Sequence, residues 1–391
     1  MSPFPRSVYA SLTRYSPDRR PIAVDLSDNT SRWGTHPGAL RAIREARPED
    51  LTRYPSVYAD GLREAVARRF DVPLETVVTG CGSDDLLDST FRAACDPGEG
   101  VAYLPPTFAM VEIFARVNGL TLLPVTREGS GSSSGSSSGS GKGFGPLPEP
   151  ESLLAENPGL IYICRPNNPT GEIQGAGWME RLLAAAGEGD GGGPVILLDE
   201  AYVDFMEGDG AGESAGPSGS EPPNHFLRRA ATSRRLVVLR TFSKAYGLAG
   251  LRVGFAVGAP EVVREIEKAR GPYKVTRVSE AAAVAALEDR EGWVPGIVAE
   301  ARVQRAYLRG ELESRGFRVL PSGANFLCLP LEEGPLGSAA TADMVTARLR
   351  KSGIAVRPFA GLHGLGDAIR VSMGPRDEMD RLLNALDGML T

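Results

Sequence analysis

"RLVVLRTFSKAYGLAGLRVGF", residues 235–255, decides the fold. An apolar run, Leu236 to Leu239, breaks at Arg240 into two hydroxyls, Thr241 and Ser243, and a single lysine, Lys244. Glycines follow, then Arg252. A continuous apolar run that ends abruptly in polar residues is the pattern of a strand buried on both faces. A surface lysine needs no such setting. A lysine that must lose its proton and attack a carbonyl does.

Similar runs lie on either side. "TVVTGCGS" and "GVAYLPP" come before it, then "GLIYICRPNNPTG" and "PVILLDEAY"; "RVGFAVGAP" comes after. Helical patterns follow most of them. Alternating strands and helices with near-continuous apolar strands predict an α/β fold with a mostly parallel sheet between helices. This layer is placed at residues 45–285. Residues 286–391 read as a smaller α+β unit, with residues 1–44 as an N-terminal arm and part of that smaller domain. Pro295 is expected to kink or split the long helical stretch that opens the smaller unit.

Three low-complexity stretches interrupt the pattern: a Gly/Ser tract at 129–143, "GEGDGGG" at 187–193 and a loop at 207–223. The βα pattern resumes beyond the first, so it reads as an insertion within one domain. The "GSGKG" at its end lacks the spacing of a phosphate loop, and "GCGSDD" (80–85) fails the last glycine of a dinucleotide fingerprint.

At 391 residues the chain has room for two domains. Its net charge of −6 offers no global field for nucleic acid or an anionic membrane. The start carries no leader of signal-peptide length and no run is long enough to span a bilayer, so a cytoplasmic protein is expected. The four cysteines and three histidines are scattered, which suggests neither a disulfide framework nor a metal site.

Ligands bind at the carboxyl ends of strands in open parallel sheets. Those ends offer Ser83 and Asp84 at a helix start, Asn168, Asp199 with Tyr202, and Thr241, Ser243 and Lys244. Free amides at a helix start bind an anion, and two hydroxyls with the fork of Arg252 complete a phosphate cup. Lys244 beside the cup suits an imine with an aldehyde. Asp199 suits a protonated ring nitrogen. Pyridoxal phosphate carries a phosphate, an aldehyde and a pyridine nitrogen.

"RPNNPTG", "DEAY" and "SKAYGLAGLRVG" resemble the signature segments of the fold-type I, class I/II aminotransferases. "GCGSDD", "YLPPTFAM", "RYPSVYADGLREAVA", "ANFLCL" and "AIRVSMG" are similar, in order, to the histidinol-phosphate aminotransferase branch. The resemblance runs from about residue 24 to the end. It implies that Lys244 would hold pyridoxal 5′-phosphate and move a proton, with Asp199 on the ring nitrogen. Tyr202 and Asn168 would meet the ring 3-oxygen. Ser83, Asp84, Thr241, Ser243 and Arg252 would hold the phosphate, with Phe108 stacked on the ring. Tyr54 would reach the partner's phosphate, which implies a homodimer with shared sites. Arg370, assisted by Arg357, would bind the substrate's anionic groups, an amino donor and a 2-oxo acid acceptor being the substrates.

The chain departs from the branch at Cys81, where asparagine is usual, and in "LSDNTSRWG" (26–34). There Asn29, Arg32 and Trp33 are the candidates for the substrate's distal group. The expected reaction exchanges an amino group between histidinol phosphate and 2-oxoglutarate. An aromatic or broad-range aminotransferase is the alternative, and a threonine-phosphate decarboxylase ranks behind it.

Overall fold

A computed structural model describes residues 4–10, 12, 14, 16, 18, 20–127, 144–187, 192–206, 224–332, 334–337 and 339–390. The Gly/Ser tract at 129–143, the loop at 207–223 and the middle of 187–193 lie outside these residues.

Twelve short strands form three sheets among the described residues: β1 (Val24–Asp25), β2 (Val77–Gly80), β3 (Gly100–Tyr103), β4 (Thr121–Pro124), β5 (Leu160–Cys164), β6 (Val195–Asp199), β7 (Leu236–Thr241), β8 (Gly254–Val257), β9 (Phe326–Pro330), β10 (Ile354–Ala355), β11 (Arg357–Leu362) and β12 (Gly366–Ser372). The large sheet has the order β2-β8-β7-β6-β5-β3-β4. Its strands run parallel except β8, which is antiparallel to both β7 and β2.

Alternate residues of these strands enter two different cores. Ile161, Ile163, Ile196, Leu198 and Val238 pack on one face, under helices that include Asp60–Phe70, Ala176–Ala186 and Arg277–Glu288. Leu160, Tyr162, Leu197, Val237 and Leu239 pack on the other, under Gly82–Ala94, Met110–Val117 and Pro260–Arg270. Two covered faces explain why the strands read as unbroken apolar runs rather than as alternation.

The smaller sheet is antiparallel, in the order β11-β12-β9. Its core takes in Val24 and Leu26 from the N-terminal segment, and β1 pairs with β10. Helix Pro37–Arg44, by contrast, sends Ala39 into the core that packs on the large sheet. The long helical stretch divides into Arg277–Glu288 and Trp293–Ser314. The break is not made by Pro295, which sits in the first turn of the second helix, where its missing N–H costs nothing. It falls at Asp289 and Gly292, both in the left-handed region. Asp289 then caps the new helix, accepting from the amides of Trp293 (2.8 Å) and Val294 (3.0 Å). Among the described residues no helix is long and apolar enough to cross a membrane.

Candidate active site

Register builds the site. Cys164 lies opposite Asp199, and Gly80 and Thr241 both lie opposite Gly254. The carboxyl ends of β2, β5, β6 and β7 therefore share one edge with the amino end of β8. There the chain leaves a cavity of about 620 Å³. Ser83, Asp84, Phe108, Asn168, Asp199, Tyr202, Thr241, Ser243, Lys244, Arg252, Arg357 and Arg370 all line it.

One end of the cavity suits a phosphate. Helix Gly82–Ala94 begins at Cys81, whose side chain makes no capping bond, so the first amides are left for another acceptor. Thr241 Oγ1 lies 2.9 Å from Ser243 Oγ. The Arg252 guanidinium lies over Gly82, where a Cβ would stand 2.7 Å from its Nη2. Gly82 has φ +80°, and a Cβ on Gly254 would fall 2.7 Å from the Ser83 amide nitrogen. These two glycines let arginine, strand and helix start close on one small volume, a cradle fitted to an anion. Asp84 Oδ2 holds Arg252 at 3.4 Å.

At the end of β6, the strand next to β7, Asp199 sits almost fully buried. Burial pushes its carboxyl up to about 6, against the hydroxyl of Tyr162 and the amide of Ala201, which favour the charged form. Tyr162 donates to Oδ2 at 2.8 Å and the Ala201 amide to Oδ1 at 3.1 Å. The next residue, Glu200, is clamped by Arg240 through Nε (2.9 Å) and Nη2 (2.7 Å), which ties the end of β6 to that of β7.

Lys244 lines the same cavity. Its amine donates to the carbonyl of Asp28 at 3.3 Å and lies 5.6 Å from the centre of the Tyr202 ring. Desolvation, then the nearby Arg370 charge, lowers its ammonium to about 8. Arg370 reaches over from β12 to donate to Asn168 Oδ1 and, at 2.8 Å, to the Ser27 carbonyl. Arg357 is its cross-strand partner on β11.

Three expected residues, Arg32, Trp33 and Tyr54, lie outside this cavity. Trp33 does not line the cavity; it packs against two hydrophobic cores, one under the large sheet and one under the small sheet. Its neighbour Arg32 is held by Glu378, with Nε at 3.0 Å. Tyr54 is 79% exposed and stacks on Tyr273, with ring centres 4.9 Å apart. Asn29, read from sequence as a distal-group candidate, does line the cavity; it is fully buried and donates to the Tyr202 hydroxyl at 3.0 Å. Thr107 and Phe359 also line the cavity and carried no sequence signal.

A buried carboxylate, a lysine of lowered pKa and an anion cradle on one sheet edge fit a phosphorylated pyridine aldehyde. A family profile described as aminotransferase class I and II matches residues 21–386. The chain belongs to the class I and II aminotransferases. It is a pyridoxal-phosphate-dependent enzyme of fold type I, and an amino donor and a 2-oxo acid are its substrates. An aromatic amino acid aminotransferase of Thermobifida fusca is 33% identical over 97% of this chain and 96% of its own length. Histidinol-phosphate aminotransferase 2 of Rhizobium meliloti is 32% identical over 98% of each. The crystal structure of histidinol-phosphate aminotransferase from Sinorhizobium meliloti with pyridoxal 5′-phosphate superposes with a TM-score of 0.79, at 26% identity, over 98% of this aminotransferase and 96% of that chain.

Proposed function

We propose that this aminotransferase moves the amino group between histidinol phosphate and 2-oxoglutarate, as a cytoplasmic homodimer in histidine synthesis. The observation that carries the reading is the pairing of Arg357 with Arg370 across β11 and β12, both facing the cavity. One site must serve two substrates with anions in different places. Glutamate brings two carboxylates and histidinol phosphate brings a phosphate. Arg370 takes the carboxylate beside the reacting carbon, and Arg357 takes the distal anion. The relative of Rhizobium meliloti named for this reaction supports the reading.

When bound, the cofactor supplies an aldehyde that captures the substrate's amine and a ring that draws electrons from the bond being broken. The chain's residues do the rest. Ser83 and Asp84 amides, Thr241, Ser243 and Arg252 hold the phosphate, and Phe108 covers the ring face. Asp199 stays charged to hold the ring nitrogen's proton. Tyr202 and Asn168 bind the 3-oxygen. With a pKa near 8, Lys244 takes a proton on Nζ and returns it near neutral pH. The exposed Tyr54 belongs in the partner's phosphate site.

A second reading, an aromatic amino acid aminotransferase, is favoured by one observation. Arg32 and Trp33 are both turned to structural contacts, while Phe108 and Phe359 line the cavity. A half-reaction separates the two. The purified holoenzyme receives histidinol phosphate, phenylalanine or threonine phosphate without acceptor, and its visible absorbance is followed. Rapid loss of the band with histidinol phosphate alone is the expected result. Loss with phenylalanine instead transfers the substrate to the aromatic reading.

A further inference from the structure

Asn29 is fully buried, with φ +59°, and every polar group it carries is used. Its amide N–H donates to Ser372 Oγ at 2.9 Å, and the Ser372 hydroxyl donates back to Asn29 Oδ1 at 2.9 Å. The side chain of Asn325 donates to the Asn29 carbonyl at 3.1 Å. This ring of bonds fixes which way the side-chain amide points. Because Oδ1 is taken by Ser372, the NH2 end faces the Tyr202 hydroxyl, 3.0 Å away.

A phenol has one proton and can both donate and accept. Here Asn29 occupies the accepting side of Tyr202, so the phenol's own proton is left to point into the cavity. Ser372 lies on β12 two residues beyond Arg370, and Arg370 itself donates to Asn168. The small sheet thus reaches both side chains proposed to meet the cofactor's 3-oxygen, Asn168 through Arg370 and Tyr202 through Ser372 and Asn29.

We infer that Asn29 is a positioning residue: the Ser372–Asn29 pair orients the Tyr202 hydroxyl so that it donates to the cofactor's 3-oxygen. It is not a ligand of the substrate's distal group. The inference rests on the reading that Tyr202 faces that oxygen. A donor there stabilises negative charge on the oxygen and lowers the proton affinity of the Lys244 nitrogen joined to the cofactor.

The test uses three variants of the holoenzyme and one combination. Asn29→Asp keeps size, tolerance of positive φ and the bond from Ser372, but it can only accept, so it turns the Tyr202 proton away from the cavity. Asn29→Gly keeps the backbone bonds and φ and removes the donor without adding charge. The readouts are the pH midpoint of the bound cofactor's visible band and the apo-protein's affinity for pyridoxal phosphate. Asn29→Asp should raise the midpoint by about half to one pH unit and weaken cofactor binding about five-fold, with a smaller change in the same direction for Asn29→Gly. In a Tyr202→Phe background, which raises the midpoint itself, Asn29→Asp should add nothing. Wild-type midpoint and affinity in both Asn29 variants would overturn the inference, as would full additivity with Tyr202→Phe. If Asn29→Asp does not fold, the glycine variant decides alone. An unchanged midpoint in Tyr202→Phe would sink the reading of Tyr202 first, and the inference with it.

Discussion

The hydroxyl of Tyr162 lies 2.8 Å from Oδ2 of Asp199, although the two side chains come from different strands. Tyr162 belongs to β5 and Asp199 to the end of β6, two registers along. Both are buried, so the bond forms where water cannot replace it. Burial alone drives Asp199 toward its neutral form, and the Tyr162 hydroxyl opposes that. Lys244 also favours the charged carboxylate, while Asp84 disfavours it.

Tyr162→Phe therefore removes a donor to the charged form, and the carboxyl rises from about 6 toward neutrality. The charged fraction at pH 7 falls and is restored at higher pH. The acid limb of the kcat profile should move up by about one pH unit, with a several-fold loss of turnover at pH 7 and little loss at pH 9. A profile that drops uniformly, with its limb in place, would mean that Tyr162 only fills space.

Lys244 is held at a cost to the fold. Its ammonium is lowered to about 8, so the folded chain disfavours the charged form that the unfolded chain prefers. The cost is present in full below pH 8 and disappears above the unfolded value. Lys244→Met should then stabilise the cofactor-free protein by about 1–2 kcal/mol at pH 7, and by nothing near pH 11, while abolishing covalent cofactor attachment. Urea denaturation of apo-protein at the two pH values measures it. Equal gains at both would assign the effect to packing rather than to charge.

Gly82 lets Arg252 close on the start of its helix, where the cofactor's phosphate is proposed to sit. Alanine there would meet Arg252 Nη2 at 2.7 Å and would hold φ +80°, a region costing about 1–2 kcal/mol for a residue with a Cβ. Gly82→Ala should weaken cofactor binding tenfold or more. Titration of apo-protein with pyridoxal phosphate reads this directly, and wild-type affinity would show that the guanidinium stands elsewhere when the phosphate is bound.

Strand ends set what is legible in the sequence. A buried parallel strand must be apolar until it reaches the sheet edge, so the first polar residues after it mark where a ligand can sit. That is why Asp199, Asn168, Thr241, Ser243 and Lys244 can be placed at one edge from the order of residues alone. Tyr162 carries no such mark. It sits inside an apolar run, and its hydroxyl matters only because the register of β5 on β6 brings it near Asp199. Asn29 looks like any turn residue, and its partners Ser372 and Asn325 lie some three hundred positions away. Trp33 reads from the sequence as a candidate for the distal group, but a large aromatic between two cores is drawn into packing. The helix break shows the same limit: Pro295 is the conspicuous residue, while Asp289 and Gly292 make the turn.

Residues on either side of the Gly/Ser tract meet in one clasp. Arg127 Nη1 donates to the carbonyl of Gly145 at 2.7 Å, and its guanidinium lies 3.9 Å from the centre of the Phe144 ring. Arg127 also pairs with Glu172, and Phe144 packs beside Leu320, Cys328 and Leu365. Arg127, before the tract, and Phe144 and Gly145, after it, are thus held together. Replacing residues 128–143 with a four-residue glycine link shortens the closed loop by two halvings, which loop entropy values at about 1 kcal/mol in favour of folding. The shortened protein should bind pyridoxal phosphate and turn over within twofold of the full chain, with a melting temperature equal or a few degrees higher. Arg127→Ala in the full chain should lower it instead, since the half-buried Glu172 carboxylate loses its partner and Phe144 loses its stacked guanidinium. A shortened protein that loses cofactor or melts well below the full chain would show that the tract itself supports the site.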